Sequence, residues 1–207
     1  RLPAAKTAAI NFLKSYSGFS DSDFKENGSL KNNVSDKNLK RYVSLVTFNN
    51  SASVKQNWID VSTKDGYQKL VNAINEIKAK EGTNLDAALR LAKTQMQSGS
   101  ITQIDKSKRN VIALTDGVPT YYVGEGQYTT WNVRQHGNYG CPETNDATAR
   151  SADALKAKVK AVYTVCFGAK NQKCWEKNSY CGFSKHEKDG PTVGDFLEKS
   201  IATPSTS

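Results

Sequence analysis

The sequence predicts an α/β protein: a doubly wound, mostly parallel sheet with helices on both faces and long loop insertions. Short apolar runs alternate with segments whose apolar residues recur at helical spacing, which is typical of this class. The 207 residues, 37% of them hydrophobic, suffice for one core of ordinary size. The apolar run 111–115 ends in Asp116-Gly117, as expected where a buried strand meets a turn at the carboxyl edge of a parallel sheet.

The first half of the chain is predicted to contain three helices and a hairpin at the sheet edge. Pro3 is tolerated in the first turn of the opening helix, and the polar segment after that helix indicates a surface insertion. In order, the predicted elements are a helix over 2–16, the insertion over 17–40, strands over 42–48 and 52–59, a helix over 67–77 and a helix beginning at Thr83.

The second half is predicted to continue the same alternation. In order, we expect a strand over 111–115, a loop insertion over 121–147, a helix with inward positions over 149–159, a strand over 161–167, an insertion over 168–190 and a last helix over 193–201. Residues 1–203 then form a single domain, followed by a tail over 204–207.

The net charge of +9 raises the question of a polyanion partner. The densest basic groups are Lys106, Lys108 and Arg109, and Lys156, Lys158 and Lys160. They are dispersed, and the second group falls toward a helix C-terminus, where cations are favoured. We therefore expect a solvated surface and no nucleic-acid partner. No apolar stretch reaches the length of a membrane span, which predicts no membrane insertion in this chain.

Enzyme motifs are missing from the sequence. There is no nucleophile elbow, phosphate-binding loop or dinucleotide fingerprint, and the single Gly-x-Gly, at residues 124–126, lies in a polar loop. The sequence therefore predicts a protein that is not an enzyme.

Four cysteines lie in the last third of the chain: Cys141, Cys166, Cys174 and Cys181. An even number suggests two disulfides in an extracellular protein, and all three pairings remain open. The spacing lacks the Cys-x-x-Cys pairs of a structural zinc site. Reduced thiols in an intracellular protein are the remaining alternative.

Thr83 and Asp116 are the candidate site residues. Thr83 follows a Gly at the start of a predicted helix, and Asp116 follows a predicted buried strand. Taken alone, Thr83 is better explained as a helix cap, with Asp86 reaching back in a capping box. Asp116 is a site candidate in its own right, because ligands bind outside the carboxyl ends of the strands in open α/β sheets.

The two segments Gly82-Thr83-Asn84-Leu85-Asp86-Ala87-Ala88-Leu89 and Leu114-Thr115-Asp116-Gly117-Val118-Pro119 resemble motifs of the von Willebrand factor type A domain. The resemblance covers nearly the whole chain and implies a metal-ion-dependent adhesion site. Thr83 and Asp116 match the Thr and the second Asp of that site. The third motif, Asp-x-Ser-x-Ser, and the first strand that carries it are absent from this sequence. We expect both to belong to the parent polypeptide, outside this chain.

The resemblance implies Mg²⁺, or Mn²⁺ or Ca²⁺, as the cofactor once the missing motif is supplied. One open coordination position would take an acidic side chain of a protein ligand, on a host or extracellular-matrix protein. With only two ligands, the isolated chain is expected to bind Mg²⁺ weakly. The aromatic loop after Asp116 is predicted either to contact the ligand or to pack onto the domain. Its aromatic residues are Tyr121, Tyr122, Tyr128, Trp131 and Tyr139.

Among type A domains, the long insertions resemble those of adhesins on Gram-positive pilus tips and surfaces. This implies a secreted protein at the cell surface, associated with the cell wall or a pilus and forming part of a larger surface protein. Two alternatives remain open. One is a type A domain with a degenerate site that acts as an assembly scaffold. The other is an intracellular subunit of a Mg²⁺-dependent complex.

Overall fold

The computed structural model describes residues 1–80, 82–123, 128–129, 141–181 and 184–204. The fold is α/β, as the sequence predicts, and it contains a parallel strand pair. The chain divides into two compact units. The first is Arg1–Thr47 with Val54–Ala79, and the second is Phe48–Ser53 with Lys80–Ser207. The prediction of a single domain over residues 1–203 stays a prediction.

The first unit contains two helices. Helix α1 spans Leu2–Ser17 with Pro3 in its first turn, and it ends at Gly18, whose φ of 84° lies in the left-handed region that favours glycine. Helix α2 spans Lys64–Asn75, and the Thr63 hydroxyl caps it by accepting the Gly66 N–H. Both helices lie where the apolar periodicity predicts them.

The core of the first unit corrects one prediction. The segment 17–40 is polar in composition, but it carries two buried apolar side chains, Phe19 and Leu30, into the core. There they join Leu13 of α1 and Tyr67 and Leu70 of α2. Two buried apolar side chains are enough to pack this segment against the core. The polar composition of the segment as a whole therefore does not predict that it packs there.

A strand hairpin follows this segment in the sequence. Strand β1 spans Tyr42–Phe48 and strand β2 spans Ala52–Asp60, and the two strands pair. Only three residues separate them, which requires an antiparallel hairpin. The tip of the hairpin belongs to the second unit.

The second unit is built on helix α3 and a parallel strand pair. Helix α3 spans Leu85–Gln95 and strand β3 spans Asn110–Thr115. Strand β6, Ala161–Cys166, pairs with β3 in register, with Asn110 opposite Ala161 and Thr115 opposite Cys166. Among the described residues, β3 pairs with β6 alone.

The two faces of this strand pair differ in exposure. On one face, Ala113 and Val162 are buried. On the other face, Ile112 lies opposite Tyr163, and Val165 follows them; these three side chains are 39%, 53% and 39% exposed. Parallel strands are normally covered on both faces, so this apolar face is unusual.

Helix α4 spans Pro142–Lys156 and runs beside α3. It begins several residues before the predicted helix, because the predicted insertion over 121–147 includes its first turns. Pro142 occupies the first helical turn, where a missing N–H costs no hydrogen bond.

Short strand pairs and a last helix complete the second unit. Strands β4, Tyr122–Val123, and β5, Tyr128–Thr129, pair antiparallel, as do β7, Tyr180–Cys181, and β8, Ser184–Lys185. Helix α5, Val193–Phe196, continues as a π-helical turn over Leu197–Ile201. Thr203 then bonds to β6, since its N–H donates to the Val162 carbonyl and its hydroxyl accepts the Val162 N–H, both at 2.8 Å.

No helix among the described residues is both long and apolar enough to cross a membrane.

Candidate functional site

The structure brings the Thr83 turn and the segment after Asp116 together. The Thr83 N–H donates to the Thr120 hydroxyl at 3.1 Å, and the Thr83 carbonyl accepts the N–H groups of Thr120 at 2.9 Å and Tyr121 at 3.3 Å. A Cβ added at Gly117 would lie 3.2 Å from Thr83 Oγ1. The Thr83 hydroxyl therefore lies beside the turn that begins at Asp116.

Thr83 is not the cap of α3. Asn84 is the N-cap, and its side-chain oxygen accepts the Ala87 N–H at 2.9 Å. The prediction that α3 begins at Thr83, with a Thr83 and Asp86 capping box, is wrong. Asn is as good a cap as Thr, so the sequence pattern did not distinguish two adjacent candidates. Because Asn84 caps α3, the Thr83 hydroxyl is not required for capping.

Asn84 also joins the hairpin tip to this turn. Its N–H donates to the Asn49 carbonyl at 2.7 Å, and its side-chain Nδ2 donates to the Asn50 carbonyl at 2.9 Å. The residue is fully buried, and these bonds satisfy both ends of its amide. The turn is thereby fixed at its start as well as at its helical end.

Asp116 is exposed at the carboxyl end of β3, and the residue before it, Thr115, is buried. The Thr115 hydroxyl has no hydrogen-bond partner among the described residues. A carboxylate and a hydroxyl at one edge are oxygen ligands of the kind that Mg²⁺ and Ca²⁺ prefer. The donor chemistry of Thr83 and Asp116 therefore fits a hard divalent cation, although two ligands are too few to hold one tightly.

The described residues provide no cluster of metal-binding side chains at this edge. The described part of the chain contains no group of three or more His, Cys, Asp or Glu residues that could hold a metal ion. That further oxygen ligands come from outside this chain stays a prediction from the sequence.

Asp86 is the residue of this region that sequence reasoning misassigned. It is fully buried and accepts three hydrogen bonds: from Val123 N–H to Oδ2 at 2.7 Å, from Arg90 Nε to Oδ1 at 3.0 Å, and from the Ser151 hydroxyl to Oδ1. The available sequence signal was the Asp86 and Arg90 spacing of four residues on a helix. Ser151 and Val123 are too distant in sequence to be predicted as partners.

The aromatic loop is described at its root. Tyr121 is buried, with its ring against Gly82, and Tyr122 is half-buried. The backbone of Tyr128 lies in β5, whereas Trp131 and Tyr139 lie outside the described residues. The position of Tyr121 favours packing over ligand contact for that ring. Ligand contact by the other aromatic residues stays a prediction.

The cysteines do not form two disulfides. Cys166 and Cys174 have free thiols, which makes that prediction wrong. Cys174 is buried beside the loop at Pro191, and burial raises the pKa of its thiol. Cys141 is fully buried and disulfide-bonded.

One side chain of each basic group, Arg109 in the first and Lys156 in the second, has structural partners. Arg109 donates to the carbonyls of Ile104, Thr102 and Met96, and Lys156 donates to the Ser200 carbonyl. These contacts stabilise loops and a helix end. That the chain has no nucleic-acid partner stays a prediction.

Comparison with known families adds one finding. A family model described as von Willebrand factor type A domain matches residues 1–118, which include Thr83 and Asp116 and end before the aromatic loop. No curated protein and no solved structure matches the chain.

Proposed function

The chain belongs to the von Willebrand factor type A family, and on that premise we propose that it is a cell-surface adhesion module that binds its protein ligand through a divalent cation. Domains of this family generally mediate protein–protein interaction. The finer assignment depends on one observation. The Thr83 hydroxyl lies beside the turn that Asp116 opens, with Oγ1 3.2 Å from a Cβ added at Gly117.

The proposed cation would be held by Thr83, Asp116 and oxygen ligands supplied from outside the described chain. Mg²⁺ requires six oxygen ligands in near-octahedral geometry, some of them water. The Asp116 carboxylate would offset part of the positive charge of the cation. The Thr83 hydroxyl would help to hold the cation at the carboxyl edge of β3. When bound, the cation would supply a positive charge to which a ligand carboxylate binds.

The missing ligands are proposed to come from an additional strand of the same natural polypeptide. One feature of the second unit supports this. Strand β3 is an apolar run of the kind found inside parallel sheets, yet it pairs with β6 alone among the described residues. An added strand beside β3 would bring its end to the same edge as Asp116.

The location and the partner are also proposals. The disulfide at Cys141 supports an oxidising compartment, and hence a secreted protein attached to the cell surface. The partner would be a host or matrix protein with an acidic side chain. The absence of an enzyme motif supports a binding role, with no catalytic activity.

Titration of the natural polypeptide with MgCl₂ by isothermal calorimetry tests the cation site. We expect Asp116→Ala, and Thr83→Val, which replaces the hydroxyl with a methyl group of similar size, to weaken Mg²⁺ binding by about tenfold or more each, because each removes a direct ligand. Asp153→Ala is the control, since this exposed carboxylate pairs with Lys156 on the surface of α4, away from Asp116 in the sequence. Equal binding by all four proteins would reject the proposed site.

A scaffold function is the second candidate, because the described residues contain no cluster of three metal-binding acidic, His or Cys side chains. In that case the protein would keep its partners after chelation with EDTA. Loss of binding to a host-matrix preparation on chelation, restored by MgCl₂, supports adhesion over scaffolding.

A further inference from the structure

The turns that carry Thr83 and Asp116 are joined by a pair of reciprocal hydrogen bonds. The Thr83 N–H donates to the Thr120 hydroxyl at 3.1 Å, and the Thr120 N–H donates to the Thr83 carbonyl at 2.9 Å. Only the first of these bonds uses a side chain. Any residue except proline could donate its backbone N–H from position 120, whereas the acceptor for the Thr83 N–H must be a polar atom on the side chain there.

The segment that links Asp116 to Thr120 is short and constrained. Pro119 is buried, and its ring fixes its own φ. The two turns also approach each other closely at Gly117, where an added Cβ would lie 3.2 Å from Thr83 Oγ1. A bond to Thr120 therefore relates the backbone of Thr83 to Asp116 through four residues of constrained chain.

Fixing the backbone of Thr83 also fixes the direction of its hydroxyl. Thr is branched at Cβ, so its χ1 angle is restricted once the backbone conformation is set. The Thr83 hydroxyl does not cap α3, because Asn84 is the cap. Its direction therefore depends on the backbone bonds of Thr83, and the bond to the Thr120 hydroxyl is the one that a side-chain substitution removes.

We propose that Thr120 is a positioning residue that keeps the Thr83 hydroxyl in a fixed place and thereby makes the cation site selective for Mg²⁺ over Ca²⁺. Mg²⁺ requires near-ideal octahedral geometry at short metal–oxygen distances, whereas Ca²⁺ accepts longer distances and flexible geometry. Loosening one ligand therefore penalises Mg²⁺ more than Ca²⁺. This inference rests on the proposed cation site. Thr120 acts through Thr83 and is not itself a ligand.

The first test measures the bond itself in the metal-free natural polypeptide. Thr120→Val replaces the hydroxyl with a methyl group, and Thr120→Ser keeps a hydroxyl. Amide hydrogen exchange at Thr83, measured by NMR, should be at least about tenfold faster in Thr120→Val and close to wild type in Thr120→Ser. Unchanged exchange at Thr83 in Thr120→Val would overturn the proposal, because the hydroxyl would then not hold this amide.

The second test measures selectivity by isothermal calorimetry with MgCl₂ and with CaCl₂. Removing a group that orients a metal ligand typically weakens metal binding by about 10- to 100-fold. We expect Thr120→Val to weaken Mg²⁺ binding by about tenfold and Ca²⁺ binding by less than about threefold. Thr120→Ser should restore both affinities to near the wild-type values. Equal weakening of the two ions in Thr120→Val would overturn the proposal.

Thr63→Val is the matched control for general destabilisation. The Thr63 hydroxyl accepts the Gly66 N–H at 3.1 Å, the same length as the bond from Thr83 to Thr120, but it belongs to the first unit. This variant should leave Thr83 exchange and the ratio of Mg²⁺ to Ca²⁺ affinity at the wild-type values. A change in that ratio as large as in Thr120→Val would show an effect of lowered stability alone and would reject the role of Thr120.

A second variant removes the same bond from its donor side, in case Thr120→Val does not fold. Replacing Thr83 by its α-hydroxy acid analogue converts its N–H to an ester oxygen and leaves both hydroxyls in place. The ratio of Mg²⁺ to Ca²⁺ affinity should fall in the ester protein, and a wild-type ratio rejects the proposal.

Asp116→Ala separates a failure of this inference from a failure of the proposed function. Unchanged Mg²⁺ binding in Asp116→Ala rejects the cation site itself. Weakened Mg²⁺ binding in Asp116→Ala, together with wild-type affinities for both ions in Thr120→Val, leaves the site in place and rejects only the role of Thr120.

Discussion

Gly82 and Gly99 share a left-handed backbone but differ in their surroundings. Their φ values are 88° and 58°. A Cβ at Gly82 would lie 1.8 Å from Asn50 Oδ1 and 2.7 Å from the Tyr121 ring, whereas a Cβ at Gly99 would meet nothing within 4 Å. Alanine variants at the two positions therefore distinguish the cost of backbone strain, present in both, from the cost of steric overlap, present only at Gly82.

We predict that Gly99→Ala lowers the free energy of unfolding by about 1 to 2 kcal/mol, the cost of a left-handed alanine. Gly82→Ala should cost about 1 to 3 kcal/mol more, since the hairpin tip and the loop root must both move. Urea denaturation of the two variants measures the difference. An equal loss of unfolding free energy in the two variants would show that the residues around Gly82 move aside at no energetic cost.

Tyr67 provides a pH-dependent test of the first unit. Burial raises its pKa to about 12, and its hydroxyl has no partner among the described residues. A raised pKa means that the folded state binds the proton more tightly. Stability from this group is therefore complete below pH 10, the ordinary value, and is lost as the pH rises toward 12.

Tyr67→Phe should lose less stability than the wild type between pH 9 and 12, by about 2 kcal/mol at the upper end. At pH 7 the variant should be close to wild type, because it removes a buried hydroxyl that makes no bond. Urea midpoints across this pH range give the comparison. Parallel curves for the two proteins would contradict the prediction.

Individual site residues were predictable only where one physical rule governs them. Asp116 was expected at a site because ligands bind outside the carboxyl ends of the strands in open α/β sheets, whereas its pairing with Thr83 was expected from the family resemblance. The buried position of Asp86 and its hydrogen bonds were not predicted, because a Thr followed three residues later by Asp fits a capping box on sequence alone. The distinction depends on Asn84 reaching the hairpin tip, which is a tertiary contact.

Helix α3 depends on its cap more than an ordinary helix does. Asn84 accepts the Ala87 N–H and also donates to the Asn50 carbonyl. Asn84→Ala removes both bonds at a buried position, and we expect it to lower the free energy of unfolding by about 2 to 3 kcal/mol.

Two comparison variants separate the contribution of the helix cap from that of the bond to the hairpin tip. Asn84→Ser keeps a capping oxygen but is too short to reach Asn50, so about half the loss should remain. Thr63→Ala removes the cap of α2, whose hydroxyl makes its second bond locally, to the Asp60 carbonyl at 2.8 Å, and should cost about 1 to 2 kcal/mol. Thermal melts followed by circular dichroism measure all three. A loss in Asn84→Ala no larger than in Thr63→Ala would exclude a role for the hairpin contact.

Most elements were predicted to within a few residues, because their apolar periodicity is strong. Strand β3 and helix α1 are examples. Helix α4 was predicted too late, since its first turns carry polar side chains such as Thr144 and Asn145 that are nevertheless buried. Polar residues at buried helical positions hide the pattern on which such predictions depend.

The number of free thiols in the chain tests its disulfide state. Cys166 and Cys174 are free and Cys141 is disulfide-bonded, and Cys181 is the one other cysteine in the sequence. We expect two reactive thiols per chain in denaturant without reductant, and four after reduction. In the native protein Cys174 should react slowly, because burial raises the pKa of its thiol.

Four thiols before reduction would favour the intracellular alternative over a secreted protein. The count needs no ligand or metal, so it is independent of the adhesion hypothesis. Reversed-phase separation of peptides from an unreduced digest then identifies the partner of Cys141.

The aromatic loop is anchored at both ends by residues outside it. At one end Thr83 and Asp86 hold the backbone of Thr120, Tyr121 and Val123, and at the other Cys141 is buried at the start of α4. Residues 124–140 could therefore be replaced by a randomised library while the anchors stay unchanged. The domain would then serve as a display scaffold for engineered binders, in which selection acts on the loop and leaves the framework untouched.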